Sequence, residues 1–343
     1  MLPDSHRSHE RYRYSMTALQ LLFGLVLLVA GGEALVRGSV AVAQRMGVSP
    51  MLIGLTLVGF GTSTPELVTS LQAALIGAPG VAIGNIVGSN IANILLILGV
   101  SAVILPMATT KEAFRRDGTV LVGVSVLLLG IALTGTLSRW VGILFLGLLA
   151  AYTVYTYFTE RQTESASAAM HAAEANDVAD LPPRDMGYGL GFVFIVGGIA
   201  GVVYGASLLV EAALVIARAA GLSEAVIGLT LVAVGTSLPE LVTSVMAAIR
   251  KHTDVAFGNI IGSNIFNILG IAGVTAVVNP ISIPPEIVHF DIWIMVATAL
   301  LLVAFATTGW RVNRWEGAAL LAFYAGYIAV QLSPSARALL GIA

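Results

Sequence analysis

Apolar positions in this chain come in long unbroken blocks instead of the short alternating or every-third-residue patterns of a water-soluble fold. Ten such segments predict helices at roughly 17–44, 50–76, 82–106, 118–135, 139–158, 188–218, 224–249, 255–278, 289–308 and 314–332. Blocks such as "ALQLLFGLVLLVAGGEALV" and "ILFLGLLAAYTVYTYF" reach or approach the roughly 20 residues that cross about 30 Å of hydrocarbon as a helix. The short alternating segments of a membrane β-barrel are missing. The predicted class is an all-α polytopic membrane protein. A basic stretch, "HRSHERYR", precedes the first block, but that block is long and no small-residue cleavage site follows, so it reads as a retained span and not a signal peptide.

Composition agrees: 57% of the 343 residues are apolar, only 10% are charged, and the mean hydropathy is +0.92. Net charge is −2, with the basic residues mostly in short connections, which argues against nucleic-acid binding. With no cysteine, disulfides and thiolate metal sites are excluded. The five histidines, His6, His9, His171, His252 and His289, lie outside every motif described below. The stretch around 159–187, rich in Ala, Ser, Asp and Glu, is the one evident linker. Basic loop residues (Arg45, Lys111, Arg115, Arg116, Arg161, Arg184, Arg250, Lys251, Arg311 and Arg314) place that linker in the cytoplasm and the termini outside, against the vote of Arg7, Arg11 and Arg13. The expected location is a cell (inner or plasma) membrane, with the lipid bilayer as partner and no obligatory protein partner evident. Trp140, Trp310 and Trp315 read as interface anchors.

The polar residues that interrupt the blocks do so twice in the same way. "IGLTLVGFGTSTPELVTSLQAA" (53–74) and "IGLTLVAVGTSLPELVTSVMAA" (227–248) match at 17 of 22 positions, and "GNIVGSNIANIL" (84–95) and "GNIIGSNIFNIL" (258–269) at 10 of 12. Glu66 to Glu240 and Asn93 to Asn267 both span 174 residues, so the chain is a duplication. Five spans per copy, an odd number, would make the second copy enter the membrane from the opposite side. The expected architecture is two inverted five-helix repeats with broken ion-binding helices, at 17–158 and 188–332, joined by the 159–187 linker.

A carboxylate at mid-bilayer costs at least about 2.5 kcal/mol and marks a function by default. Glu66 and Glu240 have no cation within their motifs, which points to a bound ion as partner. Thr62, Ser63, Thr69 and Ser70 lie three or four residues from Glu66, and Thr236, Ser237, Thr243 and Ser244 stand likewise to Glu240. Pro65 and Pro239, preceded by Gly59, Gly61 and Gly235, break the helix and predict carbonyls without helical partners near Gly59 to Thr62 and Ala233 to Thr236. Such backbone is tolerated at membrane depth only when buried in protein or lining a cavity. Ser89 and Asn93 are one turn apart, as are Ser263 and Asn267. This set is all hard oxygen, suited to Ca2+ or Na+ and not to zinc or copper. The glycines of both "GNxxGSN" motifs read as close-packing positions. Glu33 and Arg37, four apart, should pair with each other, and Glu211 takes the place of Arg37 in the second copy.

The paired "GTSTPEL"/"GNIVGSNIAN" and "GTSLPEL"/"GNIIGSNIFN" resemble the two alpha-repeats of the Ca2+/cation antiporter superfamily, specifically the prokaryotic sodium/calcium exchangers. The resemblance covers both halves. It implies a ten-helix inverted-repeat fold in which the first and sixth helices slide across an ion-holding core. It implies a Ca2+ site at Glu66 and Glu240 with backbone oxygens of Thr62 and Thr236. It also implies Na+ sites drawing on Gly59, Thr62, Ser63 and Ser263 and on Ala233, Thr236, Ser237 and Ser89, with Asn93 and Asn267 central. The chain departs from the resemblance at Asn267, where several prokaryotic relatives and the potassium-dependent branch look as though they carry Asp; with amides at both positions, K+ co-transport is not implied. The linker is too short to resemble the Ca2+-sensing domains of animal exchangers. No cofactor is implied; Ca2+ and Na+ are cargo.

Two carboxylates in one low-dielectric cavity repel until about two positive charges arrive, as one Ca2+ or two Na+, so occupancy should be mutually exclusive. That is the logic of exchange, not an enzyme's. H+/Ca2+ exchange is the alternative, because glutamates also carry protons; the extra hydroxyls lean towards Na+. An intramembrane hydrolase with a carboxyl pair fits less well, since the surroundings are ion ligands and not an apolar peptide cleft. A passive channel is a further reading, but paired carboxylates without a water-lining polar stripe on other helices favour tight occlusion over flow.

Overall fold

The structure is a computed structural model in which residues 4–48, 53, 59–108, 111–162, 186–251 and 253–342 are described. Within lipid a backbone can satisfy its own hydrogen bonds only as helix or closed barrel, and the apolar blocks fold as helices. The first half holds α1 (Asp4–Arg45), a short turn (Gly59–Gly61), α2 (Thr64–Leu75), α3 (Pro79–Ile104), α4 (Lys111–Ala132) and α5 (Arg139–Gln162). The second holds α6 (Tyr188–Ala220), α7 (Glu224–Thr236), α8 (Leu238–Ile249), α9 (Thr253–Phe266, continuing to Val278), α10 (Ile287–Thr307), α11 (Arg314–Leu332) and a short α12 (Pro334–Leu339).

Six of these are long and apolar enough to cross a bilayer: α1 from Met16, α3, α5 as far as Thr159, α6, α9 from Ala256, and α10. α7 and α8, bent by 47° at their junction, make a seventh when taken as one span. The predicted segments 118–135 and 314–332 are also helical, the former starting earlier, at Lys111. The first helix likewise extends back through the basic stretch to Asp4. The start of the 50–76 segment, nearly all of the linker, His171, His252, Arg184 and Pro50 lie outside the described residues.

The elements repeat along the chain as the motifs do. Strands β1 (Met107–Ala108), β2 (Thr136–Leu137), β3 (Ile281–Ser282) and β4 (Arg311–Val312) form two small antiparallel ladders, β1 with β4 and β2 with β3, so each ladder takes one strand from either half. Arg139 donates to the Val278 carbonyl at 3.4 Å and Arg314 to the Ile104 carbonyl at 3.3 Å, again across the halves. Trp140 and Trp315 stand exposed beside these arginines at helix starts.

α1 and α6 run against each other with interlocking glycines. A methyl group on Gly31 would sit 2.7 Å from the Val202 nitrogen, and one on Gly198 would sit 2.6 Å from the Leu35 nitrogen, so backbone meets backbone there. Gly24 meets Gly205, and Gly38 meets Gly191, at the same seven-residue spacing. The predicted Glu33–Arg37 pair forms, at 2.6 Å, and Glu211 accepts a hydrogen bond from Gln20 of α1 at 3.2 Å.

A second duplicated constellation escaped the sequence reading. Tyr152 of α5 donates to Asp117 of α4 at 3.1 Å, and Tyr327 of α11 donates to Asp291 of α10 at 2.9 Å. Asp117 also accepts two bonds from Arg116 (2.6 and 2.9 Å), whereas Asp291 accepts from Gln331 (2.5 Å), which is itself held by Arg337, the ion-pair partner of Glu286. Asp117 pins α5 to α4 and Asp291 pins α11 to α10.

Candidate functional site

The site is assembled where both broken helices meet α3 and α9. At each break the serine has left helical geometry, Ser63 at φ −87°, ψ 10° and Ser237 at φ −82°, ψ 10°, and the proline two residues on restarts the chain as α2 or α8. Pro65 and Pro239 cannot bond the carbonyls of Gly61 and Gly235. The Ala233 carbonyl, expected to be free, does keep a helical partner, because the Ser237 N–H reaches it at 3.1 Å. The release of backbone oxygen is therefore narrower than the sequence predicts, since only a residue four before a proline loses its donor outright.

Glu66 and Glu240 sit in the first turns of α2 and α8, each only 1% exposed. Ser63 occupies the position from which a serine ordinarily caps its own helix, yet makes no such cap. Its hydroxyl instead crosses to the other half and donates to Glu240 at 2.7 Å. Thr62 also faces Glu240, while Thr236 and Ser237 face Glu66, and Glu66 lies close enough to feel the charge of Glu240.

α3 and α9 widen into π-helical turns at Asn93–Ile97 and Asn267–Ile271, each beginning on a predicted ligand. π turns shift one residue's register and recur at functional sites. The Asn93 turn packs on α8 and the Asn267 turn on α2 and α3, so each asparagine is carried towards the other half's glutamate helix. Ser89 and Ser263 lie one turn earlier, both buried. Gly59 falls in the short turn before α2, and Ala233 is buried just after a further π turn, Gly228–Val232.

Eight of the ten predicted ligands that have polar side chains bury at least one polar atom with no hydrogen-bond partner: Thr62 Oγ1, Glu66 Oε2, Ser89 Oγ, both polar atoms of Asn93, Ser237 Oγ, Glu240 Oε2, Ser263 Oγ and Asn267 Oδ1. Unpaired buried polar groups are costly and uncommon, roughly 1–3 kcal/mol each, and so many on one set of elements is what a desolvated cation would satisfy. Among the described residues no three His, Asp, Glu or Cys side chains cluster, so the charge comes from the two glutamates and the rest is neutral oxygen.

Asn85 and Asn259 were missed. Asn85 is fully buried and donates to the Glu66 carbonyl (3.2 Å) and Ser70 Oγ (2.9 Å), while its Oδ1 accepts from Thr236 Oγ1 (3.0 Å). Asn259 donates to Ser244 Oγ at 3.3 Å. The signal was the "GN" opening both "GNxxGSN" motifs. Of the glycines in the first motif, Gly84 and Gly88 do pack close, a methyl on either falling within 2.8 Å of α7 backbone oxygens. The matching partners in the first half, residues 51 and 55, lie outside the described residues.

Known proteins bear on this geometry. The family model for the sodium/calcium exchanger protein matches residues 16–158 and 190–333, bracketing both sets of broken helices. The chain belongs to the sodium/calcium exchanger family. It is 38% identical over 91% of its length, and 97% of the relative's, to the sodium/calcium exchanger MaX1 of Methanosarcina acetivorans. It is 35% identical to the inner membrane protein YrbG of Escherichia coli, covering 86% of this chain and 89% of that one. A solved structure of the sodium-calcium exchanger NCX_Mj, soaked with Na+ and Sr2+, matches with a TM-score of 0.61 and 34% identity over 91% of this chain and 97% of that one. The protein is thus a multi-pass membrane protein of the exchanger family, and the family match spans both halves about the linker.

Proposed function

We propose that this protein is a secondary-active antiporter that exchanges Na+ for Ca2+ across a cell membrane by alternating access. The observation that carries the reading is the facing of Glu66 and Glu240, one from either half, amid buried hydroxyl and amide oxygens without partners. A bound Ca2+ takes six to eight oxygens and rewards two carboxylates, and the backbone oxygens of Thr62 and Thr236 would complete such a shell. Two or more Na+ would occupy the same region through Gly59, Thr62, Ser63 and Ser263 on one side and Ala233, Thr236, Ser237 and Ser89 on the other, with Asn93 and Asn267 at the centre. Both loads neutralise the pair and neither can coexist with the other, so an empty site resists crossing and transport is obligatorily coupled.

The architecture that goes with this reading is ten spans in two inverted repeats, 17–158 and 188–332, with the 159–187 linker in the cytoplasm. The shared ladders and the reciprocal Arg139 and Arg314 contacts support a two-fold relation between halves. The names of the relatives support Na+ as the coupling ion.

The deciding experiment is radioactive Ca2+ uptake into proteoliposomes with Na+, K+ or H+ as the only gradient. Uptake driven by Na+ alone supports the proposal. Uptake driven by H+ and indifferent to Na+ makes it an H+/Ca2+ exchanger, and uptake with no gradient makes it a channel.

A further inference from the structure

The two halves are near copies in sequence, yet their cross-connections at the site are not. Four bonds are possible by the duplication: Ser63 to Glu240 and its counterpart Ser237 to Glu66, and Thr236 to Asn85 and its counterpart Thr62 to Asn259. The first of each pair is made, at 2.7 and 3.0 Å, with the Val232 and Ala233 carbonyls, at 3.1 and 3.4 Å, as the alternative acceptors for the one Thr236 hydroxyl hydrogen. The second of each is not: Ser237 Oγ and Thr62 Oγ1 face Glu66 and Glu240 but are buried without a hydrogen-bond partner.

The packing follows the same split. α2 buries Pro65, Glu66, Thr69, Ser70, Ala73 and Ala74, whereas α8 buries only Glu240, Ser244 and Ala248 of the matching positions. Asn85 is fully buried with both amide hydrogens and its oxygen engaged, and Asn259 is half-buried and engaged once. A buried amide that uses its whole bonding capacity is a strong local restraint, and one with spare capacity is available for another arrangement.

Resting on the exchanger reading above, we infer that Asn85 and Asn259 are a pair of reciprocal latches that set which way the transporter faces. Each amide oxygen serves the threonine of the opposite half's broken helix, and only one of the two is engaged at a time. In the conformation described here Asn85 holds Thr236, closing α2 against α3 and α7. In the opposite conformation Asn259 holds Thr62 and Asn85 lets go. These residues do not coordinate the cargo; they position the threonines whose backbone does. Because the two states are related by the duplication, the two asparagines act on the same equilibrium with opposite sign.

The absence of native cysteine makes the test direct. Single cysteines are placed at Thr69, which is fully buried, and at its counterpart Thr243, which is half-buried, and their labelling rates by a water-soluble methanethiosulfonate are compared in nanodiscs without any ion gradient. The Thr243→Cys rate should exceed that of Thr69→Cys. Asn85→Ala should lower this ratio by about fivefold, the population shift one typical hydrogen bond supports, and Asn259→Ala should not lower it. No change with Asn85→Ala, or equal lowering by both, overturns the latch. Thr236→Val and Thr62→Val remove the hydroxyls while leaving the amides and backbone carbonyls, and should reproduce the same pattern should either alanine variant fail to fold. Labelling needs no transport, so a correct labelling pattern without Na+-driven Ca2+ uptake refutes the exchanger reading alone, and the reverse result refutes the latch alone.

Discussion

The Ser63 hydroxyl reaches 177 residues along the chain to donate to Glu240 at 2.7 Å, leaving its own helix uncapped. A capping serine normally contributes about 1 kcal/mol to its own helix, and here that contribution is forgone for a bond across the duplication. Ser63→Ala takes a donor from buried Glu240 and should destabilise the ion-free protein by about 1–3 kcal/mol, while weakening the apparent Na+ affinity in Ca2+ uptake assays severalfold. Destabilisation with unchanged Na+ affinity would instead make Ser63 a structural residue.

Glu66→Gln and Glu240→Gln each remove one of two fixed charges while keeping volume. Since ligand charge count shifts Ca2+ affinity by orders of magnitude, either change should reduce Na+-driven Ca2+ uptake by roughly 100-fold. Near-normal uptake by either variant would refute the site.

Ca2+ should stabilise the folded protein by about 2.7 kcal/mol at a concentration 100 times its dissociation constant. The expected thermal shift is absent in the Glu66→Gln/Glu240→Gln double variant, measured in detergent by intrinsic fluorescence. An equal shift in both proteins would place Ca2+ elsewhere.

Carboxylates bind a cation only when deprotonated, so protons and Ca2+ compete for the same oxygens. The sign is fixed: lowering pH from 8 towards 5.5 should weaken apparent Ca2+ affinity, and raising Ca2+ should restore uptake. A flat profile would contradict two ionisable ligands in the site.

Away from the ions, the duplicated tyrosine–aspartate pairs predict unequal costs. Tyr327→Phe strips a donor from buried Asp291 and should destabilise by about 1–3 kcal/mol. Tyr152→Phe should cost less, because Asp117 keeps two bonds from Arg116. Chemical or thermal unfolding of the two variants measures the difference.

Much of this was written in the residues. The apolar blocks located the helices, the doubled "GTSxPEL" and "GNxxGSN" words marked the broken helices and the helices packed on them, and the Glu33–Arg37 spacing predicted its own ion pair, because each depends on local period or on exact repetition. What escaped depends on three-dimensional encounter. No local pattern announces that Ser63 abandons its helix for Glu240, or that Thr236 finds Asn85 while Thr62 faces Glu240 without a hydrogen bond. The π turns were invisible because widening by one residue leaves the apolar stripe intact. The Asp117 and Asp291 pairs were legible in principle, lying 174 residues apart like the glutamates, but their tyrosines lie 175 apart, and that slip hid the second repeat.

Each tiny ladder between loops borrows a strand from both halves. Cut at the linker, each half would keep one edge of either ladder, so the backbone edges themselves offer two small templates for reassembly, and neither half is complete without the other.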